Sequence, residues 1–454
     1  MSIPAWWDPE QPYVDDYPDR RTSEQLVDDQ RNVRRQVDNL GPRGQDASVR
    51  RELANALVRR WNEREGYSAR LVPIQSGRGF EMLVTEGELL IRTDALADPR
   101  VDAFLRTIPF PPENRETIAG LDNRVTRLRS AVPEVTVQRL NDIARFLRRR
   151  GVQVSLNHVA PSGPVGKAQA GPEPTAATLP FTAAPRGVEV AVVDTGIAAA
   201  IRTDGWLQAA DVPRTGQNED PLYDPPPPPQ LLAFSGGHGT SVCGVIQHLE
   251  PGALIRVYRA LDVDGLNPEV EVATAMVQAV MDGARLLNAS FGTKTLDNQP
   301  PIAMQVALEL IDEIAGDETV IVAAAGNYGD SDPCWPAAFR RVLSVASLTW
   351  DGRPSDWSSR GFWVDCSTVG EGILTTYVEG VESPVVDWNP DVFLPPDPWA
   401  LCSGTSFAAP QVVGAVARRC RELGLTPREA LRQILRYGRY IPDYGRALRF
   451  LPGT

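Results

Sequence analysis

Residues 188–196 read VEVAVVDTG, a run in which apolar residues do not alternate with polar ones and which closes on a carboxylate and a glycine. A strand that is apolar on both faces needs cover on both faces, as in a parallel sheet inside an α/β unit. Similar runs recur at 254–260, 286–289, 320–325 and 342–346. Between them, residues 269–284 carry Val272, Met276, Ala279 and Val280 on one helical face, and a second helix is expected over 301–315. Strands alternating with helices predict an α/β fold on a doubly wound, mostly parallel sheet. In such sheets, binding and reacting groups collect at the C-terminal strand ends.

The chain has 454 residues, 42% hydrophobic and 23% charged, enough for several domains whose cores need no metal or disulfide staple. Residues 188–454 are expected as the α/β domain. A small α+β N-terminal domain is expected over 47–159. It has helices near 47–65 and 135–150, the second with Leu140, Ile143, Ala144 and Leu147 on one stripe. Its strands are expected near 69–74, 80–84, 88–91 and 152–156. Residues 1–46, interrupted by prolines, read as an arm, partly disordered, with a helix between Ser23 and Asn39. Residues 160–187, rich in Pro, Ala and Gly, read as a linker, and the prolines 225–229 as a stiff polyproline-type loop.

Net charge is −12 and unevenly spread. Residues 1–160 hold 25 Lys and Arg against 24 Asp and Glu, whereas 161–454 hold 21 against 34. An acidic body argues against nucleic acid as a partner. No apolar run approaches the roughly 18–20 residues of a membrane span, so no membrane partner is expected. The N-terminal stretch lacks the basic and apolar regions of a secretory signal, which predicts a cytoplasmic location. Five scattered cysteines give neither a disulfide framework nor zinc spacing, and no acidic cluster has calcium-ligand spacing.

Four sites at expected strand or helix ends carry the chemistry. Asp194 ends the first strand, where an Asp is more often a turn cap. His238, one of three histidines with His158 and His248, sits between glycines and opens a helix with Val242, Val245, Ile246 and Leu249 on its inner face. A satisfied core histidine is the bland reading. Ser406 lies at a helix start, the place of an ordinary N-cap, but Ser403 or Thr405 could cap and leave it available. Pro410 is expected in or near the first turn. Asn327 follows a strand and Gly326. It is either a turn residue or a donor to a developing oxyanion.

In the order Asp, His, Asn, Ser, these signals reinforce one another, and the region 188–438 resembles a subtilisin-like serine protease (subtilase) domain. The blocks that carry the resemblance are AVVDTGI (191–197), GHGTSVCG (237–244), NASFG (288–292), AAAGN (323–327) and SGTSFAAP (403–410). It implies Ser406 as nucleophile, His238 as general base and then acid, and Asp194 as the group that orients His238. Asn327 and the Ser406 backbone N–H would form the oxyanion hole. Ser290, Phe291 and Gly292 on one side and Ala324, Ala325 and Gly326 on the other would be backbone edges of the S1 pocket, with no metal in the site and no cofactor required. Ser241, Cys243 and Gln411 depart from the family pattern without touching the triad. Cys334 falls near the expected pocket floor, as a pocket thiol or as an ordinary core cysteine. Residues 377–399 are expected to rim the cleft.

The 47–159 domain lies where this family carries a propeptide, and 152–159 is similar to a propeptide's last strand and tail. That implies an intramolecular inhibitory domain whose tail occupies the cleft until cleaved or displaced. A permanent docking or regulatory domain is the other reading. The expectation for the chain is a serine endopeptidase acting on peptide or protein substrates. The alternative is a catalytically silent binding or scaffold protein on the same fold.

Overall fold

The structure, a computed structural model, describes residues 21–41, 47–64, 66–67, 69–76, 79–132, 135–163, 171–223, 231–384 and 390–454. Residues 1–20 of the arm and the prolines 225–229 lie outside the described residues. The first part holds α1 (Ser23–Leu40), α2 (Ala47–Glu63), β1 (Leu71–Ser76), β2 (Gly79–Arg92), α3 (Pro99–Thr107), β3 (Arg115–Thr117), β4 (Val125–Arg129), α4 (Val137–Arg148) and β5 (Val154–Pro161). Then come β6 (Glu173–Pro174), β7 (Glu189–Asp194), α5 (His238–Leu249), β8 (Leu254–Arg259), β9 (Leu266–Pro268), α6 (Glu269–Met281), β10 (Leu286–Ala289), α7 (Ile302–Ala315), β11 (Val320–Ala324), β12 (Leu343–Leu348) and β13 (Cys366–Val369). The last part adds β14 (Ile373–Thr376), β15 (Gly380–Val381), β16 (Val392–Phe393), β17 (Trp399–Cys402), α8 (Thr405–Leu423), α9 (Pro427–Ile434), β18 (Arg439–Ile441) and β19 (Gly445–Ala447).

The main sheet runs β18-β19-β13-β12-β11-β10-β7-β8, parallel throughout except between β18 and β19. β7 explains the unbroken apolar run. Val190 and Val192 share a core with Val242 and Ile246 of α5 and Val412 of α8, whereas Ala191 and Val193 share one with Val272 and Met276 of α6 and Ile311 of α7. Successive side chains point to opposite faces, and both faces are dry. The fold is doubly wound α/β, as expected.

The N-terminal domain is a sheet ordered β3-β4-β2-β5, with β1 on β2. Leu140, Ile143, Ala144 and Leu147 of α4 cover one face together with Leu89, Ile91 and Leu156. On the other face, Leu90 and Val125 join the core of α6 and α7. Two separate strands were expected over 80–91, but β2 is continuous. Gly87, at φ +69°, sits inside a register shift against β5. β4 escapes the period-2 signature because Arg127 is buried within it, held by Glu88, Glu116 and Glu271.

The uneven charge has a structural counterpart. Arginines of the N-terminal domain face acids of the α/β domain: Arg92 meets Glu309 at 2.5 Å, Arg124 meets Glu313 at 2.6 Å and Arg127 meets Glu271 at 2.7 Å. Arg148 pairs with Asp297. Arg60, at 2.9 Å, and Arg64 both pair with Asp264, and Arg64 also pairs with Asp262.

The described part of the 160–187 linker does not hang free. β6 pairs with β17, and α1 packs on that edge through buried Val33, Gln36 and Leu40, with Arg35 bonded to Glu173 at 2.9 Å. The capping box of Thr22 and Gln25 starts α1. The helix expected between Ser23 and Asn39 is α1, whereas the two-residue β6 leaves no periodic signal, so composition alone reads its segment as linker.

Candidate active site

β7 delivers Asp194 to the C-terminal edge of the sheet, fully buried, where its Oδ1 accepts the Thr195 N–H at 2.8 Å. His238 is the first residue of α5, and its Nδ1 lies 2.6 Å from the same Oδ1. Glycine is required beside it. A Cβ on Gly239 would stand 2.1 Å from the Gly196 carbonyl oxygen, and Gly237 holds φ +85°. The Thr195 hydroxyl accepts the Gly239 N–H at 3.1 Å, and Thr240 Oγ1 accepts the Ala198 N–H at 2.9 Å. These bonds lock the start of α5 to the turn after β7.

A second carboxylate, which the sequence reading missed, completes this layer. Asp220 is 2% exposed; its Oδ2 accepts the Thr195 hydroxyl and the Gly237 N–H, each at 2.9 Å. Burial pushes its pKa up to about 6 against those hydrogen bonds, with the charge on Asp194 adding to the rise. Burial alone would lower the His238 pKa. The charge of Asp194, its hydrogen bond and, more weakly, Asp220 outweigh this and hold His238 above 6.5.

Ser406 is the second residue of α8. Neither expected cap is used: Ser403 Oγ accepts the Gly372 N–H at 2.9 Å, and Thr405 Oγ1 accepts the Gly326 N–H at 3.0 Å and donates to Asn327 Oδ1 at 2.8 Å. No side chain caps α8, so the Ser406 N–H sits at an uncapped helix start, where a negative oxygen is favoured. Pro410 lies in the second turn rather than the first. It has no N–H, which frees the carbonyl of Ser406 four residues earlier, and the Ser290 hydroxyl donates to that carbonyl at 2.9 Å. Ser290 Oγ in turn accepts from Asn288 Nδ2 at 2.9 Å, so the end of β10 fixes the serine turn.

Asn327 Oδ1 also accepts the Thr405 N–H at 2.9 Å, which sets the orientation of the amide. Its Nδ2 is then the opposite end, 3.5 Å from where a Cβ on Gly404 would stand. Phe407, next to Ser406, lies 5.6 Å from the His238 ring, centroid to centroid. The structure thus gathers Asp194, His238, Asn327 and Ser406 at the ends of β7, α5, β11 and α8. His158 is elsewhere, in β5, 3.9 Å from the buried Glu269. His248 is half-buried, its ring edge-on to Trp206, and the loss of solvent around it lowers its pKa to about 4.

A strand from the N-terminal domain runs into this site. β5 pairs antiparallel with β9, Ala160 opposite Asn267 and Pro161 opposite Leu266. Beyond it, the Ser162 N–H donates to the Gly265 carbonyl at 2.8 Å, and the Gly292 N–H donates to the Pro161 carbonyl at 3.0 Å. The Ser406 hydroxyl lies 3.3 Å from the Ser162 carbonyl and 3.2 Å from that of Ser290. The stretch read as the tail, 152–159, is continued into the cleft by residues 160–163.

In their described part, residues 377–399 lie against the glycines that precede His238. Tyr377 donates its hydroxyl to the Gly236 carbonyl at 2.9 Å, and Trp399 packs on Trp206 and Leu179, so the segment braces the turn before His238. Trp388 lies outside the described residues. Cys243 is buried and burial raises its thiol pKa strongly; Gln411 donates to the Val369 carbonyl at 2.7 Å. Among the described residues, no group of three or more His, Cys, Asp or Glu side chains is arranged to hold a metal, and no helix is long and apolar enough to cross a membrane.

Comparison with known proteins supports the same reading of the fold. A thermophilic serine proteinase of Bacillus sp. (strain AK1) is 29% identical over 245 residues, 51% of this chain and 51% of that protein. Thermitase of Thermoactinomyces vulgaris is 28% identical over 243 residues, 50% of this chain and 73% of that protein. The chain therefore spans about half the length of the first of these relatives. Among solved structures, fervidolysin from Fervidobacterium pennivorans, a keratinolytic enzyme related to subtilisin, superposes with a TM-score of 0.56 at 20% identity, over 83% of this chain and 61% of that one. The family model of the subtilase family matches residues 185–437, and the chain belongs to that family.

Proposed function

We propose that the chain is a serine endopeptidase whose cleft is held shut by its own N-terminal domain. The observation that carries this reading is an extended polypeptide strand seated between two backbone edges with a carbonyl 3.3 Å from the Ser406 hydroxyl, beside a His238–Asp194 pair at 2.6 Å. With His238 Nδ1–H donating a hydrogen bond to Asp194 Oδ1, Nε2 takes the Ser406 proton as Oγ attacks the substrate carbonyl. The carbonyl oxygen becomes an oxyanion facing Asn327 Nδ2 and the Ser406 N–H. His238 then passes its proton to the departing amine, leaving an acyl-enzyme that water hydrolyses through the same base. Asp194 stays ionised and stabilises the imidazolium.

Strand addition along β9 and residues 290–292 suits an extended peptide or protein substrate, since main-chain hydrogen bonds carry the contact. The same bonds, made to residues 160–162, support latency. Replacing Arg60 and Arg64 by alanine removes the ion pairs that hold α2 on the Asp262–Gly265 turn, and the loosened chain is the form to assay.

In that form, Asn327→Ala is expected to lower kcat by about 10²–10³ with little change in KM, measured on a peptide anilide. A parallel loss in KM alone would take Asn327 out of the oxyanion hole. Because His238 acts as base only when neutral and its pKa is held above 6.5, kcat/KM is expected to fall as pH drops through a value above 6.5. A pH–rate profile flat from pH 5 to pH 8 would contradict His238 as the base.

A further inference from the structure

Both glycines that flank His238 are tied, directly or through one hydroxyl, to the same buried carboxylate. Asp220 Oδ2 accepts the Gly237 N–H at 2.9 Å. It also accepts, at 2.9 Å, the hydroxyl of Thr195, the residue after Asp194, and that hydroxyl accepts the Gly239 N–H at 3.1 Å. Asp220 Oδ1 takes the Leu222 N–H at 3.0 Å. Three donors thus converge on two oxygens. An ionised carboxylate satisfies all three, whereas an amide turns its NH2 group toward at least one of them.

The loop that carries Asp220 is wedged between two turns of the site. The Asp220 N–H donates to the Ile197 carbonyl and the Ile197 N–H to the Asn218 carbonyl, each at 2.9 Å. On the other side, the Ala233 N–H donates to the Leu222 carbonyl at 2.9 Å. Glycines make room for both approaches. A Cβ on Gly196, at φ +113°, would stand 2.7 Å from the Asp220 nitrogen, and one on Gly236 would stand 2.3 Å from the Leu222 carbonyl oxygen. The loop therefore joins the turn after β7, which ends in Asp194, to the turn before α5, which begins with His238.

Asp220 is also a second anion near the imidazole. Its pKa, about 6, lies below that of His238, held above 6.5, so the carboxylate is charged while His238 titrates. The other titratable groups around the pair are Asp194, which repels Asp220, and the buried Tyr377 and Cys243. Burial holds the protons on that hydroxyl and that thiol, so neither adds charge.

Resting on the peptidase reading above, we propose that Asp220 is a positioning residue of this reaction: it clamps the His238 turn to the Asp194 turn and adds a second negative charge that stabilises the imidazolium formed when His238 takes the Ser406 proton. It acts through His238, so its loss falls on kcat rather than on KM.

The test is a pH–rate profile on one peptide anilide, using the full chain with Arg60→Ala and Arg64→Ala and the same chain with Asp220→Asn or Thr195→Val added. Asp220→Asn is expected to lower kcat at pH 8 by roughly 10- to 100-fold with KM within about threefold of the parent. It is also expected to move the acid limb of kcat/KM at least about 0.5 unit lower, because a charge that raises the His238 pKa is gone. Thr195→Val opens the clamp but keeps the carboxylate, so kcat falls by about tenfold while the limb moves less than half as far. Parental kcat and an unmoved limb in the asparagine variant would overturn the proposal. So would a limb that stays in place while kcat and Tm both fall, the pattern of a role in folding alone. If the asparagine variant does not fold, the valine variant decides, and parental kcat there would overturn the clamp. A parent chain that neither cuts the peptide nor is labelled by a fluorophosphonate would overturn the peptidase reading itself, and this role with it.

Discussion

Ser406→Ala is expected to lower kcat for peptide hydrolysis by about 10⁶, measured in the Arg60→Ala, Arg64→Ala background. The size follows from how thoroughly the neighbouring hydroxyls are committed. Thr405 Oγ1 is bonded to Gly326 and Asn327, and Ser403 Oγ to Gly372, so neither is placed to replace the missing nucleophile. The substitution removes one oxygen from a tightly packed helix start, and alanine is a good helix former, so folding is expected to persist. Residual turnover would come from the oxyanion site and binding alone. Turnover equal to the parent would remove Ser406 from the mechanism.

Arg60→Ala together with Arg64→Ala is expected to raise peptidase activity by about 100-fold over the unsubstituted chain. Asp262 and Asp264 are 7% and 1% exposed, and burial with mutual repulsion holds the Asp262 pKa above the usual carboxylate range. Without the guanidiniums, the docked state leaves these carboxylates buried and unpaired, a cost of roughly 3 kcal/mol or more that undocking relieves by returning them to water. The loop that carries them leads directly into β9, the edge on which residues 160–162 lie. Loosening α2 therefore acts on the strand in the cleft. Activity that is unchanged or lower, in a double variant with native far-UV circular dichroism and Tm, would mean that the N-terminal domain does not restrain the site.

The parallel sheet was legible because its central strands are buried on both faces, which writes runs such as VEVAVV directly into the sequence. Asp194, His238, Asn327 and Ser406 were legible as candidates because short motifs sit where those runs end. Other features leave no local signal. Asp220 lies in an irregular loop, and only the fold brings it to Thr195 and Gly237. The pairing of Arg64 with Asp262 spans nearly two hundred residues, so sequence shows it only as an imbalance of charge between the two parts of the chain. Pro410 reads as a tolerated proline in or near the first turn; what the sequence does not show is that, from the second turn, it frees the carbonyl that ties Ser406 to Ser290. The strand in the cleft was expected to end before residue 160, because 160–163 read as linker by composition, although the backbone groups of 160–162 continue the β5 pairing.

The most direct measurement is peptide mapping by mass spectrometry after fluorophosphonate treatment of the Arg60→Ala, Arg64→Ala chain and of the same chain with Ser406→Ala. One phosphonyl adduct on Ser406 in the first and none in the second is the predicted result. No adduct in the first chain, or an adduct on another residue that persists when Ser406 is alanine, would contradict a serine nucleophile at this site.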